Sequence, residues 1–347
     1  MSADKQPRPD AHPATPRRKA PWSQRFKGWW NLPRGIGLAA VIVGLAHYSP
    51  LPALPMPRLI QLHTDLAPEL IGIGITLILI DWAVERRQRE ELKRQLIRQM
   101  GSNIRDVAVP AARELAHYEW LYDGTLKGAS LVEADLSAAQ LARANLSGAS
   151  LYQAILRKAN LLDANLNEAI LVNANLSGAY LPRATLIQAS LQGITLNNAI
   201  LGNADLSGAA LAYATLISCH LRDAQLNGVD LTRADMQNAD LRSANLERAD
   251  MQHADLRDAK LKWADLRDAD LAGARNWTIA QLAQASSLGW ATMPDGERLG
   301  RVSRDGVQEP GGLTFEAWRA AYLARHGGTE TTLRDVAEQD AAPPSIR

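Results

Sequence analysis

Between positions 126 and 271 a large apolar residue recurs at every fifth position without a slip, giving thirty centres, twenty-eight Leu plus Met236 and Met251. The residue two before each centre is Ala in twenty-six cases, the exceptions being Gly124, Ile194, Cys219 and Val229. A helix advances about 100° per residue, so a five-residue step smears these Leu round the whole cylinder. A flat strand alternates its side chains with period two, so an odd repeat sends successive Leu to opposite faces. The chain must therefore bend once per repeat. Ala and Leu, two apart, point the same way from a short extended piece, and the other three residues turn the corner. Those three are turn formers: Asp, Asn, Ser and Thr before the centre, and Gly at 128, 148, 178, 193, 208 and 228 after it. Bending the same way each time coils the chain round a narrow core of Ala and Leu.

Segments such as Ala144-Asn145-Leu146-Ser147-Gly148 and Ala204-Asp205-Leu206-Ser207-Gly208 resemble the A-(D/N)-L-x-x motif of pentapeptide-repeat proteins, and the resemblance covers about 150 of the 347 residues. It implies a mainly β fold, a right-handed quadrilateral β-helix with four repeats per coil, the centre and the residue two before it pointing inward. Thirty repeats then make seven and a half coils, a rod roughly 36 Å long. One coil cannot bury its own Leu, so stability comes from stacking, each covered Leu contributing about 2 kcal/mol.

The remaining chain divides by composition. Residues 1–34 hold eight Lys or Arg and six of the prolines, the pattern of a disordered basic tail. Trp22, Phe26, Trp29 and Trp30 suit a membrane interface. Two apolar stretches follow, 36–54 and 66–84, each near the lower limit for a span of about 20 residues. Basic residues precede the first, six more (Arg86, Arg87, Arg89, Lys93, Arg94, Arg98) follow the second, and only Arg58 lies between them. This asymmetry describes a transmembrane helical hairpin over 35–84 with both termini and the rod in the cytoplasm.

Residues 85–121 read as linker helices: Leu92, Leu96, Ile97 and Met100 have helical spacing, Gly101-Ser102 breaks the helix, and Ser102 or Asn103 is placed to cap a second one. The apolar face of that second helix, Ile104, Val107, Ala108, Ala111 and Leu115, needs a partner, and the open lower end of the β-helix is the nearest candidate. The run Leu79-Ile80-Asp81, the arginines after it, Met100-Gly101-Ser102 and Trp120-Leu121-Tyr122-Asp123-Gly124 are similar in order and spacing to the membrane-anchored class of bacterial pentapeptide-repeat proteins. The β-helix is assigned to 122–275 and a carboxyl-terminal cap of short helix and turn to 276–300, with Thr278 as helix cap and Pro294-Asp295-Gly296 as turn. The tail, 301–347, holds one amphipathic helix built on Phe315, Trp318, Tyr322 and Leu323.

Chemistry is sparse. His12, His47, His63, His117, His220, His253 and His326 are scattered without metal-ligand spacing, and no phosphate loop or nucleophile elbow appears. The single Cys219 sits in an inward Ala slot and reads as a buried hydrophobe. No catalytic residue, cofactor or metal is expected. With four repeats per coil, residues twenty apart stack in columns, and three columns stand out. Asp230, Asp250 and Asp270 form an acidic one, about 5 Å between neighbours. Arg222, Arg242 and Lys262 form a basic one beside Asp223 and Asp240. Val132, Tyr152 and Val172, with Ile170 alongside, form an apolar one that either lies under the linker helix or meets a separate protein. The opposite face carries a smaller cluster, Leu162, Tyr180 and Ile200.

The function expected is a non-enzymatic, membrane-tethered scaffold whose flat faces bind an unidentified protein, with oligomeric state left open. The alternative comes from the resemblance, since some soluble pentapeptide-repeat proteins imitate duplex DNA and modulate type II topoisomerases. That role needs an acidic rod, whereas residues 124–275 hold sixteen acidic and fourteen basic residues. No nucleic-acid partner is expected either. The inward assignment predicts that Leu196→Asp, an unpaired charge in the core, abolishes folding; an unchanged cooperative β-type melt would refute it.

Overall fold

The structure is a computed structural model describing residues 41–42, 57–300 and 313–326, with the side chains of 57–67 outside that description. It divides into two compact units, Met1–Glu91 and Leu92–Arg347. The basic tail (1–34), almost all of the first apolar stretch (36–54) and the segments 301–312 and 327–347 lie outside the described residues.

In the second unit the five-residue period coils the chain as the pattern requires. Parallel bridges pair each residue before a centre with its counterpart twenty on, from Ser130 with Ser150 through Asp255 with Arg275, so four repeats make one coil. All thirty centres, Leu126 through Leu271, are buried, as is the Ala two before each from Ala134 on, with Ala129 in the first coil half-buried, and even Ile194, Cys219 and Val229 fit the narrow slot.

Each repeat satisfies four of its amides by a fixed scheme, and a fifth where Asp or Asn precedes the centre. Around Leu136, the Leu136 amide donates to Ile155 O on the next coil (2.7 Å) and the Ala138 amide to Arg157 O (2.8 Å). One coil on, the Ile155 amide donates back to Ala134 O (2.9 Å). The corner closes by an Ala139 amide to Leu136 O bond of 3.0 Å. The remaining amide, that of Ser137, goes to the Asp135 side chain at 3.0 Å. This fifth bond explains why Asp and Asn precede so many centres: their short acceptor satisfies an amide that the backbone of neither neighbouring coil reaches.

The corners are type II turns, and this the glycine pattern revealed only in part. Every residue two past a centre has a left-handed backbone, seven of them Gly and twenty-three not, with φ between 54° and 67°. None of the twenty-three is β-branched, the class for which this region is most costly.

Both ends of the rod are closed from within the chain. Helix α1, Pro57–Met100, supplies Leu96 and Met100, and α2, Arg105–His117, supplies Ala108, Ala111, Ala112 and Leu115 to the core at the lower end. The first coil has no coil beneath it, so the Asp135 amide donates to Ser102 O (2.9 Å) and the Asn145 amide to Leu121 O (2.8 Å). Capping of α2 differs from expectation. Its N-cap is Ile104, without a side-chain cap, because the Ser102 hydroxyl accepts the Ile104 amide at 3.1 Å while the Ser102 carbonyl is engaged by the first coil. At the upper end α3, Ile279–Leu282, starts with a capping box between Thr278 and Gln281. Helix α4, Phe315–His326, buries Trp318 there, its indole N–H donating to Asp295 Oδ1 at 3.0 Å and its ring tilted against Trp277 and Tyr322.

The second apolar stretch, 66–84, lies within α1. No helix among the described residues is long and apolar enough to cross a membrane. Glu69, Asp81 and Glu85 limit the uncharged run in the described part of the stretch to 70–80.

Relief of left-handed strain is measurable. Glu168 is an exposed corner residue at φ 59°. Glu168→Gly should stabilise the rod by about 1 kcal/mol, and Glu168→Val should destabilise it by about 1–2 kcal/mol, both read from denaturant midpoints.

Candidate protein-binding faces

Val132, Tyr152, Ile170 and Val172 share one flat face, on which Ser130, Ser150 and Ile170 are successive bridge partners. Val132, Tyr152 and Ile170 are 39%, 38% and 42% exposed, and Val172 is half-buried. Among the described residues no element covers this column. Ala108, Ala111 and Leu115 of α2 are buried at the end of the rod, whereas Ile104 and Val107 of the same expected face are exposed and do not cover the column. Ile170 strengthens the point. It occupies the slot where Asp or Asn would accept the amide two residues on, and an apolar side chain cannot. Local turn chemistry is given up there for an outward hydrophobe. Ile200 does the same on the opposite face, and Tyr180, whose residue two on is Pro182 and has no amide to accept, stands exposed beside it and half-buried Leu162.

Above these apolar strips the two opposite faces become charged. The Asp230, Asp250 and Asp270 carboxylates accept the amides of Thr232 (2.9 Å), Gln252 (3.1 Å) and Ala272 (2.9 Å), and Gln252 Nε2 also donates to Asp270 Oδ2 at 2.8 Å. They are turn caps first, all with uncharged donors. Among the described residues no cluster of three or more His, Cys, Asp or Glu is arranged to hold a metal ion. On the opposite face Arg222 pairs with Asp223 at 3.3 Å, and Arg242 grips Asp240 through Nε at 2.7 Å. That hydrogen bond holds the half-buried Asp240 carboxyl below its ordinary 3.8 and raises Arg242. A vertical pair one coil apart, Arg183 on Asp163 at 2.7 and 2.8 Å, likewise lowers the exposed Asp163 carboxyl. Cys219 is fully buried with its thiol pushed up by burial, and its Sγ lies 3.5 Å from Ala199 O.

Two surface aromatics escaped the sequence reading. Tyr213 and Trp263 stand on left-handed corners at 63% and 58% exposure, with Arg233 and Lys262 over their rings at 6.0 and 4.3 Å. Their signal was an aromatic two past a centre, a position otherwise held by small or polar residues. An open polar cleft of about 1030 Å³ near the upper cap is lined by Arg248, Arg267, Trp290, Arg298 and neighbours. Its arginines are engaged: Arg267 with Glu247 and Asp265, Arg298 with Asp268, and Arg248 with Glu247 at 3.9 Å.

A family model described as Pentapeptide repeats matches in eight copies over residues 125–157, 159–198, 199–238 and 234–273. Among solved structures, HetL, a pentapeptide repeat protein involved in heterocyst differentiation regulation from the cyanobacterium Nostoc, is 35% identical over 49% of this chain and 86% of its own, with a TM-score of 0.30. QnrB1, a plasmid-mediated fluoroquinolone resistance protein, is 18% identical over 56% of this chain and 83% of its own, with a TM-score of 0.34. A pentapeptide repeat protein from the Arabidopsis thaliana thylakoid lumen is 24% identical over 40% and 82%, with a TM-score of 0.18. No curated protein matches the chain.

The Asp240–Arg242 pair sets a pH test. A carboxyl lowered by folding contributes stability that is complete above its unfolded pKa and fades as pH falls through its folded one. The advantage of wild type over Asp240→Asn should therefore be full at pH 7 and be lost progressively as pH falls below the ordinary carboxyl value, followed by urea midpoints.

Proposed function

The chain belongs to the pentapeptide-repeat family, and from that premise we propose that it is a non-enzymatic scaffold, tethered to a membrane through α1 and presenting a rigid β-helix whose flat faces bind protein. The observation that carries the tether is the exposure of Ile73, Ile75, Leu79, Ile80, Trp82 and Val84 on α1. At 100° per residue these point to opposite sides of the helix, so no single packed face accounts for them. Lipid surroundings do. Thr76 turns its hydroxyl back onto Gly72 O at 2.8 Å, the way a polar side chain is satisfied within an apolar segment. Directly beyond, Arg86 stacks on Trp82 at 5.4 Å, an arrangement suited to the boundary between hydrocarbon and headgroups. Arg86, Arg87 and Arg89, directly after the apolar run, support a reading with the rod on the cytoplasmic side.

The binding role rests on the open column Val132, Tyr152, Ile170 and Val172, with the acidic column Asp230, Asp250 and Asp270 as the second surface. Sixteen acidic against fourteen basic residues over 124–275 weigh against an imitation of duplex DNA.

Alkaline carbonate washing of membranes from expressing cells tests the tether. Wild type should stay in the pellet, and a chain with both Leu79→Arg and Ile80→Arg should be released. Wild type in the supernatant would overturn the reading.

A further inference from the structure

The basic column Arg222, Arg242 and Lys262 and the acidic column Asp230, Asp250 and Asp270 lie on opposite faces of the rod. We propose that the occupant of the apolar and acidic face is a second copy of this chain, docking through its own apolar and basic face, so that copies stand side by side in parallel rows. This rests on the binding half of the scaffold reading and names its partner; it does not require the tether.

Three observations carry it. The first is charge complementarity. One face rises from Val132, Tyr152, Ile170 and Val172 to the three aspartates, which have only uncharged donors. The other rises from Leu162, Tyr180 and Ile200 to Arg222, Arg242, Lys260 and Lys262, of which Asp223 and Asp240 offset two. Apolar lies low and charge lies high on both, the low Asp163–Arg183 pair being mutually neutralised. Parallel copies therefore match apolar to apolar and acid to base, whereas an antiparallel pair sets aspartates or arginines on hydrophobes.

The second observation is lateral register. Residues twenty apart stack, so residues ten apart lie on opposite sides of a coil, where the chain runs in opposite directions. A neighbour displaced straight outward thus sets positions after its centres against positions before the first copy's centres. Arg222, Arg242 and Lys262 follow their centres; Asp230, Asp250 and Asp270 precede theirs. The two columns meet.

The third is axial register. Each aspartate lies eight residues beyond its basic counterpart, and Ile170 lies eight beyond Leu162. Eight of twenty residues is a shift of about 2 Å along the axis. One shift aligns Arg222 with Asp230, Arg242 with Asp250, Lys262 with Asp270 and Leu162 with Ile170. Since the two faces are opposite, the contact is heterologous and repeats from copy to copy without closing. A single flat face gives weak affinity, which anchoring on a shared surface raises through effective concentration.

Cysteine cross-linking of the full-length chain tests the geometry. With Cys219→Ala as background, a chain carrying both Arg222→Cys and Asp230→Cys should give a ladder of dimers, trimers and longer species on mild oxidation. Either cysteine alone should leave monomers. Adding Asp250→Asn, Asp270→Asn and Ile170→Ser, which keeps the turn caps at both aspartates, should weaken the ladder at least ~5-fold. A double variant that stays monomeric, or a single variant that dimerises as strongly, overturns the row. As a check free of introduced cysteines, wild type concentrated in detergent, to replace the lost effective concentration, should sediment as oligomers at low salt and as monomers at high salt. Monomers at low salt overturn the proposal equally. Running the oxidation on fractionated cells separates the two readings: a ladder in the soluble fraction removes the tether and keeps the row, while membrane-bound monomers do the reverse.

Discussion

Everything in the rod depends on how five backbone amides per repeat find acceptors. Two reach the coil above, one reaches the coil below, one closes the corner, and the last is taken by the side chain before the centre where that residue is Asp or Asn. Three of the five leave the repeat altogether, so no coil is complete alone. The same constraint dictates the side chains. Ala and Leu are what fits between stacked coils, and Asp or Asn is what the stranded amide asks for. The ends obey it as well: Ser102 and Leu121 lend their carbonyls to the first coil because no coil lies beneath it.

This view separates structural polarity from function. An aspartate before a centre is explained by the Thr232, Gln252 or Ala272 amide it accepts. The residues left unexplained are those that decline the local bond, and Ile155, Ile170 and Ile200 do so while standing exposed. They identify the lateral faces as the surfaces with something to do. With α1 and α2 on one end and α3 and α4 on the other, lateral faces are what the rod has to offer.

Much of the architecture was legible because the Leu period is rigid and the inward slots admit few residues. Leu196, Cys219 and Met236 could each be placed before any coordinates. The left-handed corners were only partly legible. Gly128 or Gly148 announces such a turn, whereas Glu168, Tyr213 or Trp263 adopts it because bonds to the next coil override the residue's own preference. The cap of α2 misled for a similar reason: Ser102 is a good cap, but its carbonyl had a prior claim from Asp135. Whether α2 covered the Val132 column could not be read from spacing, since its apolar face fits a rod end and a rod side equally well. The fate of Trp318, inserted beside Trp277 with its indole on Asp295, depends on tertiary contacts that its helical spacing does not specify.

The two periods, five for the core and twenty for the surface, impose different grammars on change in length. Removing one pentapeptide leaves every later Leu inward, yet it turns all downstream residues a quarter turn onto the neighbouring face. Asp250 would leave the line of Asp230 while remaining a sound turn cap. Removing twenty residues shortens the rod and keeps each column intact. Lineages of such rods can therefore drift in length by fives at little cost to folding, but any lineage whose faces serve a purpose is held to steps of a whole coil.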